Sequence, residues 1–269
     1  MKLVANAKIN IGLSVGAKRA DGYHDIETVM ALISLCDTIE ADVYPSEHTE
    51  IIIEGNESYL GGKIDLMEKA ARFYSEISGW KFSLHLKIEK NIPVMAGLGG
   101  GSSDAATVLS YLDSLSPRPF GRERLVSVSQ AIGSDVPFFV SGFKGAYVTG
   151  RGEVVREDEV PSGASVLLFF PSGAVSTLEA YRKLDSIERE IGHIKPLCGR
   201  WPEKKDYPNH FELVLSRCAQ DVMPSEVIAS GTFVSLTGSG SAWYALFSPE
   251  KSIKFDNPEK YGIVSAYII

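Results

Sequence analysis

The chain has 269 residues, a formal net charge of -7 and 44% hydrophobic residues. That length suits two packed subdomains better than a single core, the composition excludes long disordered stretches, and the acidic balance argues against a general nucleic-acid binder. Cys36, Cys198 and Cys218 are scattered and form no CxxC pair, which argues against a zinc site or disulfide framework and suits a reducing cytoplasm. The first twenty residues include Lys2, Lys8, Lys18 and Arg19 in place of an apolar signal core, and the apolar runs are too short to span a bilayer.

Residues 5–15 read as a strand: Ala5, Ala7, Ile9, Ile11, Leu13 and Val15 alternate with polar or small residues. This period of two puts Lys8 and Asn10 on one face, about 7 Å apart by strand rise. Asp21-Gly22 marks a turn. Residues 27–35 and 38–44 read as two further strands, 66–77 as a helix and 82–89 as a strand. The loop 96–103 then runs into a helix with Ala105, Val108, Leu109 and Leu112 at helical spacing, and Ser102 and Ser103 stand at its N-cap position. A helix over 122–132 and a hairpin over 142–155 follow.

The stretch 156–164 is charged and then rich in Pro, Ser and Gly; it divides the chain into residues 1–155 and 156–269. The second half reads as a strand at 165–170, helices at 178–189 and 211–218, and strands at 232–237 and 242–247 around the turn Gly238-Ser239-Gly240. Strands and helices mix without a βαβ rhythm, so the fold class is α+β.

The sharpest local signal is Gly97-Leu98-Gly99-Gly100-Gly101 ahead of a helix. Glycines there let a ligand approach the backbone, and the helix start offers free N–H groups and a positive dipole end, so the segment reads as a phosphate cradle. The alternative is a tight connection with no ligand. It is not a Walker loop, because no Gly-Lys-Ser/Thr ends it; no second strand and acidic residue follow, as a dinucleotide fold needs; and the HRD and DFG segments of protein kinases are absent. Asp135, in Gly133-Ser134-Asp135-Val136-Pro137, could serve as a general base for an alcohol, but taken alone it reads as an N-cap or turn aspartate. Lys8 could stabilise a reacting hydroxylate, but taken alone it reads as part of a solvated strand face. No histidine spacing suggests a metal site.

In order along the chain, these segments resemble the galactokinase, homoserine kinase, mevalonate kinase and phosphomevalonate kinase superfamily. The residues that carry the resemblance are Ala7-Lys8-Ile9-Asn10, Asp21-Gly22-Tyr23-His24, the AGLGGGSSDAA run from Ala96 to Ala106, Gly133 with Asp135, Gly150 with Gly152-Glu153, Tyr181, and Gly238-Ser239-Gly240. The glycine run is shared across the superfamily. The Asp21-to-His24 turn points to the branch whose alcohol substrate carries a cytidine diphosphate.

The resemblance implies a ribosomal-protein-like N-terminal domain and a ferredoxin-like C-terminal domain with the active site between them. It implies ATP with Mg2+ on Pro93, Val94, Met95, Ala96, Gly97, Leu98, Gly99, Gly100, Gly101, Ser102 and Ser103. It implies Asp135 as base with Lys8 as its partner, reversing the reading of each residue alone. It implies Asn10, Tyr23, His24 and Tyr181 at the cytidine substrate, with the base between the His24 and Tyr181 rings. Two positions depart from the pattern: Asp65 stands where asparagine is usual beside the adenosine, and His210 follows Asn209 where aspartate is usual. The competing readings are a kinase of the same superfamily with a homoserine-like or sugar substrate, and a nucleotide-binding module without catalysis.

Overall fold

The structure, a computed structural model, describes residues 1–56, 65–171, 176–189, 191–230, 233–250 and 264–269. The first sheet is built on two long strands, β1 (Lys2–Lys18) and β2 (His24–Pro45), paired antiparallel along their length. Beyond β2 lie β3 (Glu50–Gly55), β4 (Phe82–Glu89), β5 (Gly145–Gly150) and β6 (Val154–Glu157), in the order β3-β4-β2-β5-β6. The two strands expected at 27–35 and 38–44 are one. Asp37, between them, is not a turn residue; its buried carboxylate accepts from the Asn91 and Ile92 amides at 2.6 and 2.8 Å.

Helices α1 (Leu66–Ser78) and α2 (Gly100–Leu115) cover one face of this sheet. Met67, Ala70, Tyr74, Val108, Leu109 and Leu112 pack against Ile39, Leu84, Leu86 and Ile88. The chain continues through α3 (Arg122–Ser129), which ends earlier than expected, and α4 (Val136–Ser141), a short helix with proline in its first turn that the sequence reading missed.

The second half forms an antiparallel sheet of β7 (Ser165–Phe169), β8 (Phe233–Leu236), β9 (Trp243–Phe247) and β10 (Val264–Tyr267), ordered β10-β7-β9-β8. Part of the strand expected at 232–237 lies outside the described residues. Helix α5 (Thr177–Asp185) packs Ala180 and Leu184 against Phe169 and Trp243. The helix expected at 211–218 is a single 3-10 turn, His210–Leu213, followed by the short helices α6 (Ala219–Val222) and α7 (Ser225–Ala229).

The two halves share one apolar core: Ile9, Ile11, Val29 and Ile33 join Val166, Leu168, Tyr244 and Leu246. This explains a departure in β1, where residues 7–15 are buried on both faces. The segment between the halves is also packed. Val160 and Ala164 are buried, and Asp158 accepts from the Leu197 and Cys198 amides at 2.6 and 2.9 Å.

Candidate active site

Two register shifts, between Asn6 and Lys8 and between Ile11 and Leu13, bracket the centre of β1. Such bulges re-aim side chains, often beside a site. Here they place Lys8 and Asn10 inside the molecule: both are buried, not on a solvated face. Lys8 Nζ donates to Asn10 Oδ1 at 2.5 Å and lies 3.4 Å from Asp135 Oδ2.

Asp135 stands at the N-cap position of α4, but its side chain makes no cap hydrogen bond. It is therefore free to face Lys8, and it keeps 28% of its side-chain surface exposed, against 3% for Lys8. The loop carrying it rests on the β5–β6 turn, where a Cβ on Gly152 would collide with the Ser134 carbonyl. Glu153 fastens that turn by accepting from the Arg151 amide at 2.5 Å and Gln130 Nε2 at 3.0 Å.

Asn10 is held from every side. Its Nδ2 donates to Thr28 Oγ1 at 3.0 Å, its Oδ1 accepts from the Gly238 amide at 2.9 Å, and its backbone carbonyl accepts from the Tyr244 hydroxyl at 2.8 Å. The Gly238–Gly240 turn, weak as a sequence signal, thus docks on β1 and on the glycine loop. Thr237 Oγ1 donates to the Gly97 carbonyl at 3.1 Å, and Gly97, at φ 78°, has no room for a Cβ against Thr237. Asn209 supports the turn by donating to the Leu236 and Gly238 carbonyls at 2.9 and 3.0 Å. His210 is put to work as well: burial and the Arg189 charge lower its pKa, and the neutral ring accepts from the Val15 amide at 3.0 Å.

A cavity of about 720 Å³ opens over this pair, lined by Lys8, Asn10, Tyr23, His24, Asp135 and Tyr181. The resemblance had implied all six at the site. Arg151, Arg182 and Asp185 also line it and were missed, because charged residues on a turn or helix end carry no spacing signal. A second cavity, about 460 Å³, lies under Pro93 through Ser102 and reaches Asp65, Leu66, Lys90 and Asp104. The two meet at Gly97 and Gly99.

The second cavity corrects several details of the expected loop. The N-cap of α2 is Gly99, at φ 72°, not a serine. Ser103 is buried and does not line the cavity. Left-handed backbone is required at Gly97 and Gly99, whereas a Cβ on Gly101 would meet only Leu66 Cδ1 at 3.6 Å. Asp65 caps α1, its Oδ1 accepting from the Met67 amide at 2.8 Å.

Below the loop lies a buried cluster that the sequence reading did not find. Lys90 Nζ donates to Asp37 Oδ2 and, at 2.6 Å, to Asp104 Oδ2. Burial pushes the Asp104 carboxyl up to about 7 against the pull of Lys90, and its Oδ1 is buried without a hydrogen-bond partner. Lys90 itself is raised: its two carboxylates outweigh the burial that would lower it.

The base-binding expectation also changes. His24 and Tyr181 stack directly on each other, with centroids 5.2 Å apart and planes inclined by 28°. That is an aromatic pair, with no room for a third ring between. Tyr181 is further packed edge-on against Phe211, and its hydroxyl is pushed up to about 12 by burial and then by the Asp135 charge. Tyr23 is exposed, with the Arg151 guanidinium 3.7 Å over its ring.

Residues 65–143 match the GHMP kinases N terminal domain. Over 93% of its length the chain is 36% identical to a 4-diphosphocytidyl-2-C-methyl-D-erythritol kinase of Thermotoga maritima, covering 93% of that protein. The chain belongs to this kinase family. A relative of the same description from Prosthecochloris aestuarii is 35% identical over 90% of this chain and 87% of its own. A crystal structure of 4-(cytidine 5'-diphospho)-2C-methyl-D-erythritol kinase covers the whole chain and 99% of that protein at 30% identity, with a TM-score of 0.77. The Methanococcus jannaschii mevalonate kinase, at 13% identity and a TM-score of 0.67, covers the whole chain and 98% of that protein and shares the fold.

Proposed function

We propose that this chain transfers the γ-phosphate of ATP to the 2-hydroxyl of 4-diphosphocytidyl-2-C-methyl-D-erythritol, in non-mevalonate isoprenoid biosynthesis. The observation that carries the reading is the Lys8–Asp135 pair, set where the substrate-sized cavity meets the glycine loop. Residues 1–155 supply the loop and the pair; residues 156–269 close the cleft with Tyr181 and the Gly238 turn.

The chemistry follows from the geometry. The loop from Pro93 to Ser102 and the start of α2 hold the ATP phosphates through backbone N–H groups and the helix dipole. Gly99 brings the backbone close to Lys8: a Cβ there would lie 3.1 Å from Lys8 Cε. The alcohol enters from the larger cavity, and the exposed edge of Asp135 accepts its proton. The Lys8 ammonium, fixed by Asn10, stabilises charge on the attacking oxygen. The cytosine stacks on the wall that His24 and Tyr181 form together, not between them.

Magnesium neutralises phosphate charge when bound with ATP. Among the described residues no group of three His, Cys, Asp or Glu side chains could hold a metal. That fits Mg2+, which takes one or two protein oxygens plus phosphates and water. Ser102 Oγ would lie 3.8 Å from a Cβ on Gly133, beside the Asp135 loop, and offers one such oxygen. A small-molecule substrate and cytoplasmic location complete the proposal.

The test is to incubate the purified protein with ATP and a panel of alcohols and follow ADP and phosphorylated product. The expected result is turnover of the cytidine-linked alcohol, with CMP competing against it and not against ATP. Phosphorylation of homoserine or a sugar instead, without competition by CMP, would reassign the substrate.

A further inference from the structure

Asp185 is the last residue of α5 and lines the larger cavity, yet the chemistry above gives it no part. Its Oδ1 lies 3.2 Å from His24 Nε2 and its Oδ2 lies 3.4 Å from Lys18 Nζ. The other His24 nitrogen, Nδ1, is 3.0 Å from the Gly16 carbonyl. Nδ1 is thus hydrogen-bonded and Nε2 lies against a carboxylate, so both ring nitrogens face protein groups.

What His24 presents is its face, and that face carries Tyr181. Tyr181 and Asp185 are four residues apart on α5, so they share one side of the helix. One helix side thus supplies both the ring that stacks on His24 and the carboxylate that fixes it. Arg189, just beyond the helix, ties the same place by donating to the Gly16 and Val15 carbonyls at 3.1 and 3.3 Å. A carboxylate repels a diphosphate, so direct contact with the substrate's phosphates is not its use.

We propose that Asp185 is a positioning residue for substrate choice: it locks the His24 ring behind Tyr181 and so sets the aromatic wall on which the substrate base stacks. This rests on the reading of the cavity as the site of a cytidine-linked alcohol.

The experiment is steady-state kinetics on Asp185→Ala, Asp185→Asn, His24→Phe and the His24→Phe/Asp185→Ala double variant, beside the parent. Asp185→Ala raises the Michaelis constant of the alcohol about tenfold, the scale of one lost ion pair that is partly screened from water. Its turnover number and its ATP constant stay within about twofold, as expected when only ground-state and transition-state binding are lost equally. Asp185→Asn recovers most of the affinity, because an amide can offer either a donor or an acceptor to Nε2. On the His24→Phe background the Asp185→Ala loss disappears, since the two residues act as one unit.

Additive losses would mean that Asp185 acts independently of His24, and would overturn the proposal. So would an alcohol constant in Asp185→Ala equal to the parent's. The function reading fails separately: a parent enzyme that does not phosphorylate the cytidine-linked alcohol overturns that reading and this one together.

Discussion

Among the described residues, two lysines are buried against aspartates, and they are built for opposite ends. Lys8 faces one carboxylate, Asp135, which remains partly exposed at the wall of a cavity. Lys90 faces two, Asp37 and Asp104, both buried. Asp37 spends its second oxygen on two backbone amides leading into the glycine loop. Burial and an ion pair alone therefore do not mark a catalytic site. The mark is a carboxylate with an open side facing space where a substrate fits, and Asp135 has that while Asp37 does not. The Lys90 cluster is a brace that holds the end of β4, the loop and the second turn of α2 together.

This contrast predicts different failures. Asp135→Asn lowers turnover about 10²- to 10⁴-fold, or roughly 3 to 5 kcal/mol of barrier. ATP affinity and melting temperature stay near the parent's in titration and thermal unfolding. Lys90→Met strands two buried carboxylates and costs about 3 to 5 kcal/mol of stability in urea unfolding, while the protein that remains folded still turns over. A Lys90 variant as stable as the parent would remove the brace from the account.

Gly101→Val tests the loop that the brace holds. Its Cβ has room in the fold, but the side chain projects from the helix start to which we assign the ATP phosphates, so ATP affinity falls about tenfold or more with little change in melting temperature. Gly97→Val instead collides with Thr237 and lowers stability, because Gly97 needs positive φ. Equal ATP affinity in Gly101→Val and the parent would mean that the phosphates lie elsewhere.

The most gradual effect is that of Asp104 on pH dependence, spread over about three pH units. Its folded carboxyl sits at about 7, above the unfolded value of about 4. The folded state then holds its proton longer, so stability contributed at low pH is lost as pH rises from about 4 through 7. Asp104→Asn removes that slope, which is at most about 1.4 kcal/mol per pH unit for one proton. Unfolding midpoints across this window, compared between parent and variant, give the answer.

The sequence made half of this comparison legible. The alternation around Lys8 and Asn10 and the glycine run before a helix are local patterns, and with the resemblance they pointed to residues that line the two adjoining cavities. That Lys8 is buried was not legible, since the bulges in β1 and the second sheet that covers it are long-range facts. Taken alone, Asp135 read as a helix cap; only the resemblance set it opposite Lys8, and the structure shows the side chain making no cap hydrogen bond and lying 3.4 Å from Lys8 Nζ. The Lys90 brace was invisible because its members, from β2, the end of β4 and α2, follow no periodicity. The expected sandwich of a base between His24 and Tyr181 failed for a similar reason: the direct stacking of the two rings joins residues far apart in the chain.

The central claim, that phosphoryl transfer is carried by the exposed-acid pair and not by the buried one, is tested most directly by one set of turnover numbers. Asp135→Asn and Asp104→Asn are compared with the parent at saturating ATP and cytidine-linked alcohol. The account predicts a loss of at least about a hundredfold in Asp135→Asn and a change of no more than about threefold in Asp104→Asn. Near-parental turnover in Asp135→Asn, or a hundredfold loss confined to Asp104→Asn, would contradict it.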